Sequence, residues 1–265
     1  MGGQVIRKGY ADCSAGQIHY AHRAGSGLPI VCFHQTASSG VSFHRIMAAG
    51  GLANPLYALD TPGFGGSFEP DGRPAFEQYA AWLFEALAAL GVHEFYALGH
   101  HTGAGICVEL AARHPAAVKA MILIGPYPLT PEEREDFRLH FSAPISPTED
   151  GGYLMTTWRY LAGLGAKADL EVHHRELLNH VRAYDSRFKT YSAVWDYDFT
   201  TPYKTATCPI LLMAAEDDVL YPYLKRAQDL QPSATVAEVT GANFEPELDA
   251  DGIVQALLGF LRQMN

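Results

Sequence analysis

His101 lies between Gly99 and Gly103, after an apolar segment at residues 95–98 and before a helical segment at residues 105–114. A strand that turns sharply into a helix projects the side chain at the turn away from both elements. An imidazole is largely neutral at pH 7, so it can accept a proton or attack an acyl carbon. We therefore predict that His101 is a base or a nucleophile.

Four short motifs occur in the order in which α/β-hydrolases carry them. Residues 99–103 resemble the G-x-Nu-x-G nucleophile elbow, and residues 34–36 resemble the loop that carries the oxyanion hole. Residues 60–67 read DTPGFGGS, which is similar to D-x-P-G-x-G-x-S, and residues 215–222 resemble the segment that carries the triad acid, here Asp218. The resemblance implies an α/β fold with a doubly wound, mostly parallel sheet and a helical cap.

Two of the three triad positions depart from the family pattern. His101 occurs where the family has serine, cysteine or aspartate, and residues 241–245 read GANFE where its catalytic histidine follows the last strand. The Ser-His-Asp mechanism therefore cannot operate here. Asn243 lies roughly at the missing histidine. Its amide could donate to Asp218 and accept from His101, which makes it a predicted orienting residue.

Several other polar residues are candidates for the site. The resemblance implies an oxyanion hole formed by the backbone N–H of Thr102 and one near Gln35 or Thr36. The Gln35 side chain either contacts a ligand carbonyl or packs against the loop. His34 is a candidate acid or base, although support of the loop through hydrogen bonds is the favoured interpretation. Glu245 is either an alternative base or a solvated carboxylate. His100 is expected to pack behind the elbow.

We expect neither a metal nor another cofactor. His34, His100, His101 and Asp218 lack the H-x-x-x-H and H-E-x-x-H spacings, and adjacent histidines on an elbow are expected to point in different directions. The four cysteines are dispersed, with no C-x-x-C pair. They predict neither a disulfide framework nor a zinc site.

Strand patterns stop between residues 125 and 207, where helical, aromatic-rich sequence takes over. We therefore assign residues 1–125 and 208–265 to the α/β-hydrolase core and residues 126–207 to an inserted helical cap. Pro131 is a plausible first-turn residue of the first cap helix. Aromatic rings of the cap could roof the elbow and bind a flat, apolar ligand.

Tyr127, Trp158 and Trp195 are the predicted pocket residues of the cap. The alternative for any one of these rings is that it packs the cap helices against each other. His173 and His174 are expected to be surface residues on a helix over residues 170–183.

The chain has 265 residues and a net charge of −10, with only 18% charged residues. The acidity is diffuse and no basic patch is evident, so nucleic acid is not an expected partner. Residues 1–9 lack the apolar segment of a signal peptide, and no apolar run reaches the roughly 18 residues of a membrane span. We expect a cytoplasmic protein that acts on a small molecule without contact with a membrane, of undetermined oligomeric state.

These patterns favour a cofactor-independent hydrolase or lyase that cleaves a small apolar carbonyl compound, aromatic or alicyclic, with His101 as base or nucleophile. Because the usual nucleophile and histidine are both absent, the alternative is a catalytically inactive protein that keeps the pocket to bind or sense a ligand.

Overall fold

The computed structural model describes residues 5–264. The strands are β1 (Ile6–Cys13), β2 (Gly16–Arg23), β3 (Ile30–Phe33), β4 (Leu56–Leu59), β5 (Phe95–His100), β6 (Val118–Ile124), β7 (Ile210–Ala214) and β8 (Thr235–Glu238). The helices are α1 (His44–Ala48), α2 (Phe76–Ala89), α3 (Thr102–Arg113), α4 (Pro131–Phe141), α5 (Gly152–Gly163), α6 (Leu170–Arg182), α7 (Tyr184–Asp196), α8 (Thr200–Thr205), α9 (Tyr221–Leu230), α10 (Glu245–Leu248) and α11 (Ala250–Gln263).

All eight strands form one sheet in the order β1-β2-β4-β3-β5-β6-β7-β8. The β1–β2 and β2–β4 pairs are antiparallel, and the pairs from β4 to β8 are parallel. The parallel strands β3 and β7 are buried along their whole length, which is why they read as short uninterrupted apolar runs. The predicted mostly parallel α/β sheet is confirmed.

Helices cover both faces of the sheet, because side chains along each strand alternate between the two faces. On one face, Phe33 of β3 packs in a cluster with residues of α2 and α3, such as Leu83 and Ile106. On the other face, Cys32 packs in a cluster with residues of α1 and α11, such as Met47. The elbow between β5 and α3 is therefore anchored in the middle of a packed sandwich.

Five helices, α4 to α8, lie in sequence between β6 and β7 and are called here the insertion helices. The first begins at Pro131, as predicted, and Thr130 caps it: the Thr130 hydroxyl accepts from the Glu133 N–H at 3.2 Å, and the Glu133 carboxylate accepts from the Thr130 N–H at 2.8 Å. The assignment of residues 126–207 to a separate cap stays a prediction. Over residues 5–264, every helix is too short or too polar to cross a bilayer.

Candidate active site

His101 occupies the tip of the turn between β5 and α3 with φ 49° and ψ −109°. A non-glycine residue at positive φ is strained, and such strain concentrates at functional sites. Gly99 and Gly103 allow this turn to be tight: a Cβ on Gly103 would overlap the carbonyl of Phe33, and one on Gly99 would lie 2.5 Å from the amide nitrogen of Ala104. The sequence motif thus produces the expected elbow, with His101 as its projecting side chain.

The His101 ring reaches Asp218, which follows β7. The distance from His101 Nε2 to Asp218 Oδ2 is 2.7 Å, and Asp218 Oδ1 accepts from the Leu220 N–H at 2.6 Å. The second ring nitrogen, Nδ1, has no hydrogen-bond partner in the described chain, and it is not among its buried unsatisfied atoms. Asp218 accepts from the ring and so fixes the tautomer with the proton on Nε2. His101 also lines a pocket, so the lone pair on Nδ1 is available to a ligand there.

Asn243 does not bridge these two residues, contrary to the sequence prediction. Its Oδ1 is buried without a hydrogen-bond partner in the described chain, while its backbone carbonyl accepts from Gln35 Nε2 at 2.9 Å. The physical reason is the length of the imidazole. The elbow ring itself spans the distance to Asp218, so no intermediate amide is needed between them.

Gly125, directly after β6, gives the His101 ring its space. Gly125 has φ 61°, and a Cβ at this position would overlap His101 Cδ2 and lie 2.7 Å from Nε2 and 3.2 Å from Asp218 Oδ2. Sequence reasoning missed this residue. The available signal was a glycine at the carboxyl end of the strand that neighbours the elbow strand.

Glu245 lies behind Asp218 and is completely buried, so it is not a solvated carboxylate. Its Oε1 accepts from the Ala215 N–H at 3.2 Å. Burial, the negative charge of Asp218 and a hydrogen bond with that carboxylate raise the pKa of Glu245 well above its usual value. The Glu245 carboxyl is thus held towards its neutral form, in which it can donate to Asp218, and it does not line the pocket in which a base would act.

Burial alone would raise the pKa of Asp218, but attraction to the imidazolium form of His101, the hydrogen bond from that ring, and the donors Glu245 and the Leu220 N–H outweigh burial and lower it. Asp218 is therefore ionised in the site. An ionised carboxylate beside the imidazole is the arrangement of a serine-hydrolase triad, in which the carboxylate stabilises the imidazolium that forms during turnover.

His100 is fully buried behind the elbow, as predicted. Its Nε2 lies 3.1 Å from Glu245 Oε2, but neither atom is aligned for a hydrogen bond. Burial and the neighbouring His101 imidazole lower its pKa well below the usual value, so the ring is neutral. The His100 and His101 ring centroids are 4.4 Å apart. The two rings are thus neighbours. The prediction that adjacent histidines on the elbow point in different directions was wrong in this respect.

His34 supports the loop after β3. Its Nδ1 donates to the Gln35 carbonyl at 2.7 Å, and its Nε2 accepts from the Thr61 N–H at 2.9 Å. Burial lowers its pKa, although Asp60 and the Gln35 carbonyl act in the opposite direction. Since both ring nitrogens are already bonded to backbone, His34 has no free nitrogen with which to act as an acid or a base.

The two predicted oxyanion positions lie beside the elbow histidine and line the same pocket. Thr102 is the first residue of α3, so its backbone N–H requires no acceptor within the helix, and its hydroxyl donates to Thr36 Oγ1 at 2.9 Å. The Gln35 amide is committed to the Asn243 carbonyl. Gln35 thus holds the turn after β8 against the loop after β3.

The elbow opens into a pocket of about 590 Å³, a volume that includes space open to solvent. Loops of the sheet form its floor and the insertion helices its walls. The aromatic and apolar lining comprises Tyr127, Phe137, Phe141, Tyr160, Leu161, Leu164, Tyr191, Val194, Trp195, Val219, Leu220 and Phe244.

Tyr127 and Trp195 line this pocket as the sequence predicted, but Trp158 does not. The Trp158 ring stacks on His173 with centroids 3.5 Å apart, and its carbonyl accepts from His173 Nε2 at 2.8 Å. His173 is accordingly buried, whereas His174 is exposed as expected. His180 also lines the pocket, and sequence reasoning assigned it no role.

Four residues place ligand atoms within 4.8 Å of one another and could hold a metal ion: His100, His101, Asp218 and Glu245. In the structure, the His101 Nε2 proton is used in the hydrogen bond to Asp218. The same nitrogen cannot donate to Asp218 and ligate a metal, because ligation requires its lone pair.

Comparisons with known proteins agree with this architecture. Residues 29–143 match the family model of the alpha/beta hydrolase fold. The enol-lactonase from Burkholderia xenovorans LB400 superposes with a TM-score of 0.81 at 17% identity, over 96% of this chain and all of that one. E-2-(acetamidomethylene)succinate hydrolase superposes with a TM-score of 0.78 at 20% identity, over 97% of this chain and all of that one. The chain has the α/β-hydrolase fold, and these matches support the α/β-hydrolase superfamily.

Sequence relatives match over shorter segments. A Klebsiella pneumoniae protein named as a carbamate hydrolase, RutD, is 30% identical over 149 residues, which cover 54% of this chain and 55% of the relative. The 2-hydroxymuconate semialdehyde hydrolase of Pseudomonas putida is 29% identical over 174 residues, which cover 63% of this chain and 55% of the relative. The chain therefore spans about half the length of the curated relatives it matches.

Proposed function

We propose that this protein is a hydrolase or lyase that cleaves a small, apolar carbonyl compound without a metal or other cofactor, with His101 as the catalytic base. The single observation that carries the proposal is the 2.7 Å contact between His101 Nε2 and Asp218 with Nδ1 left to the pocket. In a serine hydrolase, a carboxylate fixes one nitrogen of the histidine and the other takes the proton. Here the elbow side chain itself carries that imidazole.

His101 Nδ1 accepts a proton from water, and the resulting hydroxide attacks the substrate carbonyl carbon. The oxyanion that forms is stabilised by the backbone N–H of Thr102 at the start of α3. When the intermediate collapses, the bond to the leaving group breaks and the leaving group takes the proton from the His101 imidazolium. In a lyase reaction the same nitrogen removes the proton from a substrate hydroxyl instead of water. The adjacent carbon–carbon bond then breaks as the hydroxyl oxygen forms a carbonyl, and the carbanion leaving group takes the proton from the His101 imidazolium.

The relatives favour this chemistry for the same fold. A carbamate hydrolase, a semialdehyde hydrolase and an enol-lactonase are all named for cleavage of small carbonyl compounds. The apolar aromatic lining of the pocket suits a substrate of this type. The inserted helices, as a cap, would exclude bulk water from the elbow.

The test is turnover of a panel of aryl esters, lactones, β-diketones and hydroxy-ketones, followed by mass spectrometry, for wild type and His101→Ala. His93, which is exposed, provides a matched control as His93→Ala. We expect products with wild type and His93→Ala, and a loss of about 10²- to 10⁴-fold with His101→Ala, the contribution typical of a general base.

Equal turnover by wild type and His101→Ala would exclude His101 as the base. Ligand-induced thermal shifts without product from any protein would instead favour the inactive ligand-binding alternative. A mass increase of His101 by the acyl group of an ester, trapped at early times, would show that the imidazole attacks the carbonyl directly rather than through water.

A further inference from the structure

His180, on α6, is a histidine of the pocket that the proposed reaction does not use. Its Nδ1 donates to the Glu176 carbonyl at 3.0 Å, within the same helix. The residue is only 7% exposed, and it lines the pocket. Its Nε2 is not among the buried unsatisfied atoms of the described residues. The exposed part of the ring is therefore Nε2, which faces the pocket.

The His180 ring is neutral at physiological pH. Burial and the positive charge of Arg187 lower its pKa to about 3. Since Nδ1 carries the proton that Glu176 accepts, Nε2 carries a lone pair. This part of the pocket wall thus offers a hydrogen-bond acceptor.

Tyr160, on α5, offers a donor beside this acceptor. The Tyr160 and His180 ring centroids are 6.1 Å apart. The Tyr160 hydroxyl lies 3.5 Å from Arg187 Nη2, from which it accepts. It also neighbours the Tyr191 hydroxyl within hydrogen-bond reach, so its own proton can go either to Tyr191 or to a ligand in the pocket. The hydroxyl of the neighbouring Tyr191 already donates its proton to the Thr36 carbonyl at 3.1 Å.

The buried guanidinium of Arg187 polarises this group. Arg187 is 3% exposed, and its Cζ lies 5.4 Å from the Tyr160 ring centroid and 4.9 Å from that of Tyr191. A phenol that accepts from a cation is a stronger donor. The same positive charge disfavours an ammonium group nearby.

We propose that His180 Nε2 and the Tyr160 hydroxyl form a subsite for a ligand hydroxyl, phenolic or enolic, so that the substrate is a hydroxy-substituted ring or enol carbonyl compound. This inference rests on the proposed function, because it assigns the substrate class of the same pocket. A hydroxyl can donate to Nε2 and accept from Tyr160 at once. A ketone or a carboxylate can only accept, and either would leave the Nε2 lone pair without a donor.

The experiment measures dissociation constants by calorimetry for matched ketones that carry no hydrolysable bond: acetophenone, its 2-, 3- and 4-hydroxy isomers, and 4-methoxyacetophenone. Wild type should bind at least one hydroxy isomer about tenfold more tightly than acetophenone, as a hydrogen bond in a dry pocket contributes. The 4-methoxy compound should gain nothing, because its oxygen cannot donate.

Tyr160→Phe and His180→Leu should each bring the affinity of the favoured isomer to within two- to threefold of acetophenone, whose own affinity stays unchanged. Tyr153→Phe, on the same helix and outside the pocket lining, is the matched control and should retain the preference. Tyr160→Phe removes one oxygen only, so it decides the question even where His180→Leu fails to fold.

The subsite is excluded if no hydroxy isomer binds more tightly than acetophenone, if none binds at 5 mM, or if the preference survives both substitutions. Repeating the titration with His101→Ala separates the two proposals. If His101→Ala keeps both the preference for the hydroxy isomer and wild-type turnover, only the catalytic role of His101 is refuted and the subsite stands. Lost preference in Tyr160→Phe would still support the subsite.

Discussion

Under the proposed function, a single ring at position 101 would perform two tasks that a serine hydrolase divides between two residues. It is presented by the strained backbone of the elbow, and it is held by the acid that follows β7 through a 2.7 Å contact. Any side chain at position 101 lies beside the backbone N–H of Thr102, the proposed oxyanion donor, and lines the pocket. In the proposed reaction, the elbow side chain activates water instead of attacking the substrate itself.

Asp218→Asn should lower kcat/KM about 10²- to 10⁴-fold while the fold is kept. The asparagine oxygen would keep the hydrogen bond from the Leu220 N–H, so its NH2 group would face His101 and donate to Nε2. This would favour the His101 tautomer with the proton on Nδ1 and remove the basic lone pair from the pocket. Steady-state kinetics with the substrate found in the panel measures the effect. Asp217→Asn, a change at the neighbouring exposed acid, is the control. An Asp218→Asn enzyme with wild-type kcat/KM would contradict the assigned tautomer.

Gly125→Ala should abolish turnover, because the new methyl group would overlap the His101 ring. Gly72→Ala is a close control: Gly72 has φ 63°, against 61° for Gly125, and nothing lies within 4 Å of its added Cβ. Both variants carry a similar backbone cost of about 1 kcal/mol or more, which thermal unfolding would report. Only Gly125→Ala should also lose activity. Equal activity of the two variants would show that the ring position is not critical.

At the scale of elements, the carboxyl ends of neighbouring parallel strands bring the site together. The elbow follows β5, Gly125 follows β6, and Asp218 follows β7. The turn after β8 contributes Glu245 at the start of α10, from which it reaches Asp218 and the Ala215 N–H. This turn usually delivers the histidine in α/β-hydrolases, whereas here it delivers a neutral acid behind the carboxylate.

Glu245→Gln tests this arrangement, because a glutamine amide can donate to Asp218 and accept from Ala215 as the neutral acid does. We expect activity within about threefold of wild type. Because the pKa of Glu245 is raised in the folded protein, its contribution to stability is fully present below its unfolded pKa near 4.5. This contribution is lost as pH rises through its folded pKa. Glu245→Gln should therefore gain stability relative to wild type between pH 5 and pH 8, as urea titrations at both values would show. A constant difference would mean that Glu245 is ionised in the folded protein.

Much of this arrangement was predictable at the element scale. The bounds of β3, β4 and β7 coincide with the short apolar runs of the sequence, and the order of the motifs placed His101 and Asp218 in one site. Their direct contact was not predicted, because Asn243 was expected to lie between them. The predictions that Asn243 bridges His101 and Asp218 and that Trp158 lines the pocket were wrong. Each depended on which neighbour the side chain contacts in the packed structure. No local pattern reports such a choice.

For the whole molecule, burial of neutral imidazoles links stability to pH. Burial lowers the pKa of His34, His44, His100 and His180, the last to about 3. Buried Glu176 and Glu245 have raised pKa values and act in the opposite direction. Burial also lowers the pKa of His22 and His114. Since six imidazoles oppose two carboxyl groups, unfolding near pH 5.5 takes up more protons than it releases.

The free energy of unfolding should therefore fall between pH 6.5 and pH 5.5, by about 1.4 kcal/mol per pH unit for each net proton taken up. The sign follows from the histidines: a lowered folded pKa gives stability that is present above the unfolded value near 6.5 and is lost as pH falls towards the folded value. Urea titrations across this range measure the slope. His180→Leu should reduce the slope by up to one proton, and the exposed His93→Leu should leave it unchanged. If stability rises towards pH 5.5 instead, the carboxyl groups of Glu176 and Glu245 outweigh the histidines. If the slope is unchanged in His180→Leu, the His180 ring is charged in the folded protein.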